Sequence, residues 1–232
     1  MLSSTLLVVA SAALASAHTI ITYPGWRGNN LITNDTFPFG MQWMYPCGGM
    51  GTSTNRTYWP VTGGAIAFQP GWFQGHATAL LYVNLGFGTD GPDNGPKNMS
   101  FPMVPPFQLL GPSKNPYPGT VCLPQVPLPA GANVQVGDNA TIQLVELAVH
   151  GAALYSCVDI TFVAPGDPKV AKVNETNCFN STDIGIGEIY SLTVRASGQG
   201  NITSGAERSI ARGAFSYLGF LPLALGGLWV LL

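Results

Sequence analysis

Charge is scarce in this 232-residue chain. Nine Lys and Arg stand against eleven Asp and Glu, for a formal net charge of −2, and only 9 % of residues are charged. A nucleic-acid-binding domain needs a basic stripe to meet phosphate, so that class is excluded. Helical periodicity is missing from the central chain, and no internal repeat is present. There is no G-x-S-x-G, no H-E-x-x-H and no phosphate loop, and Glu146 and Glu175 show no paired-carboxylate arrangement for glycoside hydrolysis. The four cysteines, Cys47, Cys122, Cys157 and Cys178, contain no C-x-x-C spacing. Histidine occurs three times only, at His18, His76 and His150.

The two ends read as processing signals. Residues 2–17 carry no charged side chain and close on Ala15-Ser16-Ala17, the apolar core and A-x-A ending of a secretory signal peptide. Cleavage after Ala17 makes His18 the first residue of the mature protein. At the other end Ala214 to Leu232 (AFSYLGFLPLALGGLWVLL) is apolar to its last residue, without the Lys or Arg that normally follows a spanning helix. The small residues Ser204-Gly205-Ala206 and the polar spacer ERSIARG precede it. Small site, spacer and hydrophobic tail in that order signal GPI attachment, with Ser204 as the attachment residue, and a single tail anchor is the alternative. The expected organisation is a signal peptide over 1–17, a domain over 18–196, a flexible stalk over 197–213 and a removable tail over 214–232. The mature protein is thus expected on the extracellular face of the plasma membrane or in the wall.

Seven N-x-S/T acceptors, at Asn34, Asn55, Asn98, Asn139, Asn174, Asn180 and Asn201, fit a secreted chain whose weakly charged surface is covered by sugar. In an oxidising compartment four cysteines without zinc spacing predict two disulfides. Three pairings are possible, and Cys47 with Cys157 and Cys122 with Cys178 is favoured.

Short apolar runs rich in β-branched and aromatic residues predict strands at 19–23, 64–68, 77–85, 140–149, 154–163 and 188–196, bounded by turn clusters such as GTDGPDNGP. This spacing predicts an all-β protein, an antiparallel β-sandwich. Two stretches, 26–59 and 86–120, are too long for ordinary loops. Asp90, Asp93 and Asn94 share the composition of a calcium loop but lack its spacing, and are read as a turn.

A histidine at the mature N-terminus is chemically special. Its α-amine, with an ordinary pKa of about 7.7 to 8, and its imidazole Nδ1 can close a chelate ring on one ion. A second imidazole opposite completes a planar set of three nitrogens, which suits Cu(II). His76, beside Gly75 at the start of a predicted strand, is the candidate, and His150 reads as a core or rim residue. In LYSCVDITFV, alternation sets Cys157, Asp159 and Thr161 on one face and Val158, Ile160 and Phe162 on the other. A strand carboxylate beside a cysteine is costly unless paired. Asp159 is either a third ligand or a carboxylate hydrogen-bonded to loop amides.

The start HTIITYPGWRGNN, the MYPCGGM segment, the histidine of GHATALLYVNL and the strand ALYSCVDITF together resemble the fungal family of LPMO-like, GPI-anchored copper-binding proteins, also described as copper acquisition factors. The resemblance covers nearly the whole mature chain. It implies an immunoglobulin-like or fibronectin III-like sandwich related to lytic polysaccharide monooxygenases. It also implies one Cu(II) per chain held by a histidine brace of His18 and His76 with Asp159 as a further ligand. His150 matches no ligand.

Three functions follow as expectations. The first is a monomeric cell-surface protein that acquires or buffers copper, with a membrane copper transporter as partner and no catalytic residue. The second is a copper monooxygenase acting on wall glycans, which needs a flat aromatic surface. Trp26, Trp43, Trp59 and Trp72 are candidates for that surface, although tryptophan in a sandwich is more often core. The third is a metal-free glycosylated wall protein.

Overall fold

The computed structural model describes residues 19–30, 42–70, 78–111 and 119–188. The signal segment, His18, Asn34, Trp72, His76, Asn201, the stalk with Ser204 and the apolar tail lie outside the described residues.

Among the described residues nine strands follow one another: β1 Ile20–Tyr23, β2 Thr57–Pro60, β3 Gly64–Gln69, β4 Leu80–Phe87, β5 Phe101–Leu110, β6 Val121–Val126, β7 Asn139–Leu147, β8 Ala153–Val163 and β9 Gly185–Glu188. A three-stranded sheet has the order β1-β3-β6, and a six-stranded sheet the order β2-β8-β7-β4-β5-β9. Both contribute to one buried core. Ile21, Ile66, Phe68 and Val121 come from the small sheet, and Leu81, Val83, Leu85, Ile142, Leu144, Val158, Ile160 and Phe162 from the large one. The expected β-sandwich is therefore what the chain forms.

The differences from the sequence reading have local causes. The stretch 86–120, expected to be irregular, contains β5, whose sequence FPMVPPFQLL hides it because proline cannot donate to a ladder. The register resolves the conflict. Leu81 pairs with Phe107 and Val83 with Val104, so Pro105 and Pro106 fall together opposite Tyr82 at an irregularity. Among the described residues strand β9 covers only Phe107–Leu110, and the proline half of β5 has no partner strand on that side. Pro124 uses the same device in edge strand β6, at the shift between Gly64 and Ile66 of β3.

Strand β2 closes the other long stretch and runs parallel to β8, from Thr57 opposite Ile160 to Pro60 opposite Val163. The sheet is thus mixed, not wholly antiparallel. No hairpin links β2 to β8, so nothing in the chain forces the antiparallel sense. Strand β4 starts at Leu80 where 77 was expected. Only Gly185–Glu188 of the last strand precedes residues outside the description.

Two disulfides join Cys47 to Cys157 and Cys122 to Cys178. The first clamps the loop between β1 and β2 onto β8, and the second ties β6 to the segment before β9. Next to Cys47, Gly48 has φ +64°, and a Cβ there would run into the Asn30 amide and the Tyr155 carbonyl. Only glycine fits that approach.

Candidate metal centre

Strand β8 is buried on both faces over Ser156–Ile160. Val158, Ile160 and Phe162 face the core, as alternation predicts, and Cys157 and Asp159 face outward beneath the loop of residues 42–56. The Asp159 side chain is wholly buried, so its charge must be met there.

Arg27 Nη2 lies 2.8 Å from Asp159 Oδ1, and Thr141 Oγ1 donates to the same oxygen at 2.6 Å. Ser53 N–H donates to Oδ2 at 2.8 Å. Arg56 stands 4.0 Å away, with its guanidinium donating to the Ala140 carbonyl. Both carboxylate oxygens thus serve protein donors, with one loop amide among them. These contacts include a guanidinium that no local pattern reveals. Arg27 is in turn held by its backbone, whose N–H donates to the Cys157 carbonyl at 2.7 Å.

The two other expected ligands are known here through their neighbours. His18 is one peptide bond from Thr19, which is fully buried. The Thr19 carbonyl accepts from Gln42 Nε2 at 2.8 Å, and the Gln42 carbonyl accepts from Tyr155 N–H at 2.8 Å. One residue, Gln42, therefore links Thr19 to the early half of β8. His76 is two residues before Thr78, and the next residue, Ala79, accepts from Leu109 N–H at 3.0 Å just before Leu80 pairs with Leu147. Thr19 and Ala79, the described residues that follow His18 and His76 in the sequence, thus lie near the end of the large sheet where β4 and β8 begin and β7 finishes.

That end is polar inside. Ser156 and Glu146 are buried there with Thr19. Thr19 Oγ1, Gln42 Oε1 and Ser156 Oγ lack a hydrogen-bond partner among the described residues. Among the described residues no group of three or more His, Cys, Asp or Glu could hold a metal ion; His18 and His76 lie outside them.

His150 sits exposed in the turn between β7 and β8. Trp59 is 1 % exposed and belongs to the core, Trp26 packs against the core, and Trp43 is 53 % exposed. Close by, the Tyr45 and Tyr155 rings meet edge to face, with centroids 5.6 Å apart. Burial, and then Tyr155 and Tyr45, raise the pKa of the Tyr82 phenol. Residues Pro92–Asn94 form a short turn, with Asp93 and Asn94 left-handed, and Asp90 pairs with Lys97 at 2.6 Å on the surface. Of the glycosylation acceptors, Asn55, Asn98, Asn174 and Asn180 are exposed, whereas Asn139 is half-buried in β7 and accepts from Thr161 Oγ1 at 2.7 Å.

Sequence reasoning missed Arg27, which reaches Asp159 across 132 residues. It also passed over the register of Glu146. In IQLVEL that residue continues the alternation of Ile142 and Leu144, an acid on an apolar face.

Residues 16–183 match the family described as copper acquisition factor BIM1-like. The chain is 69 % identical over 233 residues to a Neurospora crassa protein named lytic polysaccharide monooxygenase-like protein ham-7, covering 100 % of both chains. It is 65 % identical to the lytic polysaccharide monooxygenase-like protein X325 of Hypocrea jecorina, over 99 % of each chain. The Aspergillus fumigatus protein of that name is 59 % identical, over 81 % of this chain and 83 % of the other. Among solved structures, entomopoxvirus fusolin spindles match with TM-score 0.34 and 12 % identity, over 74 % of this chain and 61 % of that one, a likeness too distant to bear on function.

Proposed function

The chain belongs to the copper acquisition factor BIM1-like family, and from that premise we propose that it is a cell-surface protein that binds one Cu(II) through a brace formed by mature His18 and His76. The observation that carries this reading is the tether. Thr19, which follows His18 in the sequence, is buried, and Thr78, two residues after His76, leads into β4 at the same polar end of the sandwich.

The residues present suit such an ion. The buried hydroxyls of Thr19 and Ser156 and the Gln42 side-chain amide oxygen Oε1 have no partner among the described residues. In an apolar core each costs desolvation energy, which a hydrated cation nearby offsets. Copper bound there would supply a Lewis-acidic, one-electron redox centre. The chain's own part would be to offer the three nitrogens of His18 and His76. Asp159 acts behind this arrangement by holding Arg27 and Ser53 onto the sheet.

Two disulfides fit an oxidising compartment, and the end signals support a mature chain outside the cell, held at Ser204 by a GPI anchor. A membrane copper transporter is the natural recipient of the ion. The role is acquisition and buffering, with no catalytic residue assigned. A second reading, glycan oxidation, draws support from the exposed Trp43 and Tyr45, whose rings could stack on sugar.

The test is copper titration of the secreted, cleaved protein, by calorimetry and electron paramagnetic resonance, beside a variant with one Ala inserted before His18. Tight one-to-one binding with a type 2 signal, lost in the extended variant, is expected. Equal binding by both would sink the brace. Peroxide-driven oxidation of wall glycans by the loaded protein would replace the acquisition role with the enzymatic one.

A further inference from the structure

The outer face of the large sheet carries a row of side chains that copper binding does not use. Ile160 and Phe162 face the core, so Thr161 between them faces outward. Thr161 stands opposite Tyr58 of β2 and Asn139 of β7 in the two ladders, and residues opposite one another share a face. Its hydroxyl donates to Asn139 Oδ1 at 2.7 Å. This row floors a cleft of about 620 Å³, walled by residues 52–56 and by Asp93 and Asn94 of the turn after β4.

That turn is held in a costly shape. Asp93 and Asn94 have φ of 54° and 56°, in the left-handed region that residues with a Cβ seldom adopt. Gly91 N–H donates to the Gly95 carbonyl at 2.8 Å and Gly95 N–H to the Pro92 carbonyl at 2.9 Å. A Cβ on Gly95 would run into the Thr52 hydroxyl, so the turn packs closely on the opposite wall. Both left-handed residues thus border the cleft from a rigid support, which lowers the ordering cost of a ligand.

The lining matches one kind of ligand. Arg56 and Asp93 bring one charge of each sign, and hydroxyls and carboxamides dominate the remainder, so the cleft favours neither a phosphate nor a metal cation. It suits a neutral molecule rich in groups that both donate and accept, with an apolar face for the Tyr58 ring. That description is a sugar. The volume falls in the range of roughly 300–1,000 Å³ that takes a drug-sized ligand, which a disaccharide is.

The rim of the cleft also carries a point of attachment. Asn55 lies there, exposed, in the acceptor triplet Asn55-Arg56-Thr57. We infer that the cleft seats the first N-acetylglucosamine units of a glycan carried by Asn55. This rests on the chain being exported, as proposed above, and not on its copper. In the attachment, the Asn55 amide nitrogen bonds to the anomeric carbon of a lipid diphosphate-linked oligosaccharide. The bond from that carbon to the diphosphate oxygen breaks, and the amide proton leaves with the lipid diphosphate. An open polar cleft competes with water for every hydroxyl, so it holds free sugar weakly. A tether at Asn55 raises the effective concentration to the order of mM and makes seating intramolecular.

The experiment uses the full chain secreted by a fungal host, with each acceptor followed by peptide mass spectrometry. Endoglycosidase H is applied to the native protein. Release at Asn55 is timed for wild type and for a variant carrying Asp93→Gly and Asn94→Gly, in which glycine keeps the left-handed turn and removes both side chains from the wall. Asn55 should be occupied, and release should be about 10-fold faster in the variant, the equivalent of losing two hydrogen bonds to the sugar. The same two substitutions should lower the melting temperature of the glycosylated protein and not that of the Asn55→Gln protein, which has no sugar to unseat. Equal release rates, or the same melting shift in both backgrounds, overturn the inference, as does sugar on Asn139 in place of Asn55. Free N,N′-diacetylchitobiose titrated into Asn55→Gln separates the sources. Tight binding of it, with Asn55 bare in the wild type, overturns the seat and makes the cleft a site for external saccharide. Bare Asn55 beside a glycosylated Asn174 rejects the seat alone, whereas a chain bare at every acceptor rejects export as well.

Discussion

Arg27 and Asp159, 132 residues apart, meet at 2.8 Å in a contact with almost no access to water. The pair fastens the segment after β1 to the middle of β8, and the Ser53 amide brings the β1–β2 loop to the same carboxylate. Removing Arg27 leaves the buried Asp159 carboxylate with Thr141, the Ser53 amide and no guanidinium nearer than Arg56 at 4.0 Å. Arg27→Ala should therefore cost about 3–5 kcal/mol of stability, measured by urea unfolding of the metal-free protein. A loss below 1 kcal/mol would mean that water screens the contact.

The Cys47–Cys157 bridge closes a loop with a sequence separation of 110 and Cys122–Cys178 one of 56. Loop-closure entropy grows with length, so each bridge is worth about 4–5 kcal/mol, and the longer slightly more. Replacing both cysteines of the longer pair with Ala should lower the melting temperature more than replacing those of the shorter pair. The reverse order would show that native packing around each bridge outweighs the entropy of the unfolded chain.

Gly48 tests the close approach of the loop to β8. With φ at +64° and the Asn30 amide and Tyr155 carbonyl in the path of a Cβ, Gly48→Ala should destabilise the fold by about 1–3 kcal/mol. Gly137, also left-handed but with open space around it, should tolerate Ala better. Calorimetric melting of the two variants side by side checks this.

Tyr23 predicts the alkaline limb of stability. Burial raises its phenol pKa, and the hydroxyl donates to the Ala171 carbonyl at 2.6 Å. The folded state keeps a proton that the unfolded chain releases near pH 10. Its contribution is complete below pH 10 and is lost as pH rises through the folded value. Tyr23→Phe should flatten the decline of stability between about pH 9 and 11, followed by chemical unfolding across that range. An unchanged slope would assign the decline to other groups.

How much of the fold was legible depended on what each strand could say locally. Strands β3, β7 and β8 announce themselves because alternation and β-branched residues need no partner to be read. Strands β5 and β6 were hidden by Pro102, Pro105, Pro106 and Pro124, which local rules exclude from strands. Those residues are tolerated because they sit at register shifts or on edges, and edges exist only once the sheets have formed. The parallel pairing of β2 with β8 is likewise a property of the assembled sheet.

The sequence by itself determined the alternation of β7 and β8, the supply of three histidines and the likeness to copper-handling proteins, because each is written in contiguous residues. Tertiary structure alone decided what surrounds each acid. Asp159 and Glu146 are both strand carboxylates in apolar runs, indistinguishable by composition. Folding brings Arg27, Thr141 and the Ser53 amide to Asp159 and buries Glu146 completely in β7, and no local pattern encodes which partner a buried charge will meet.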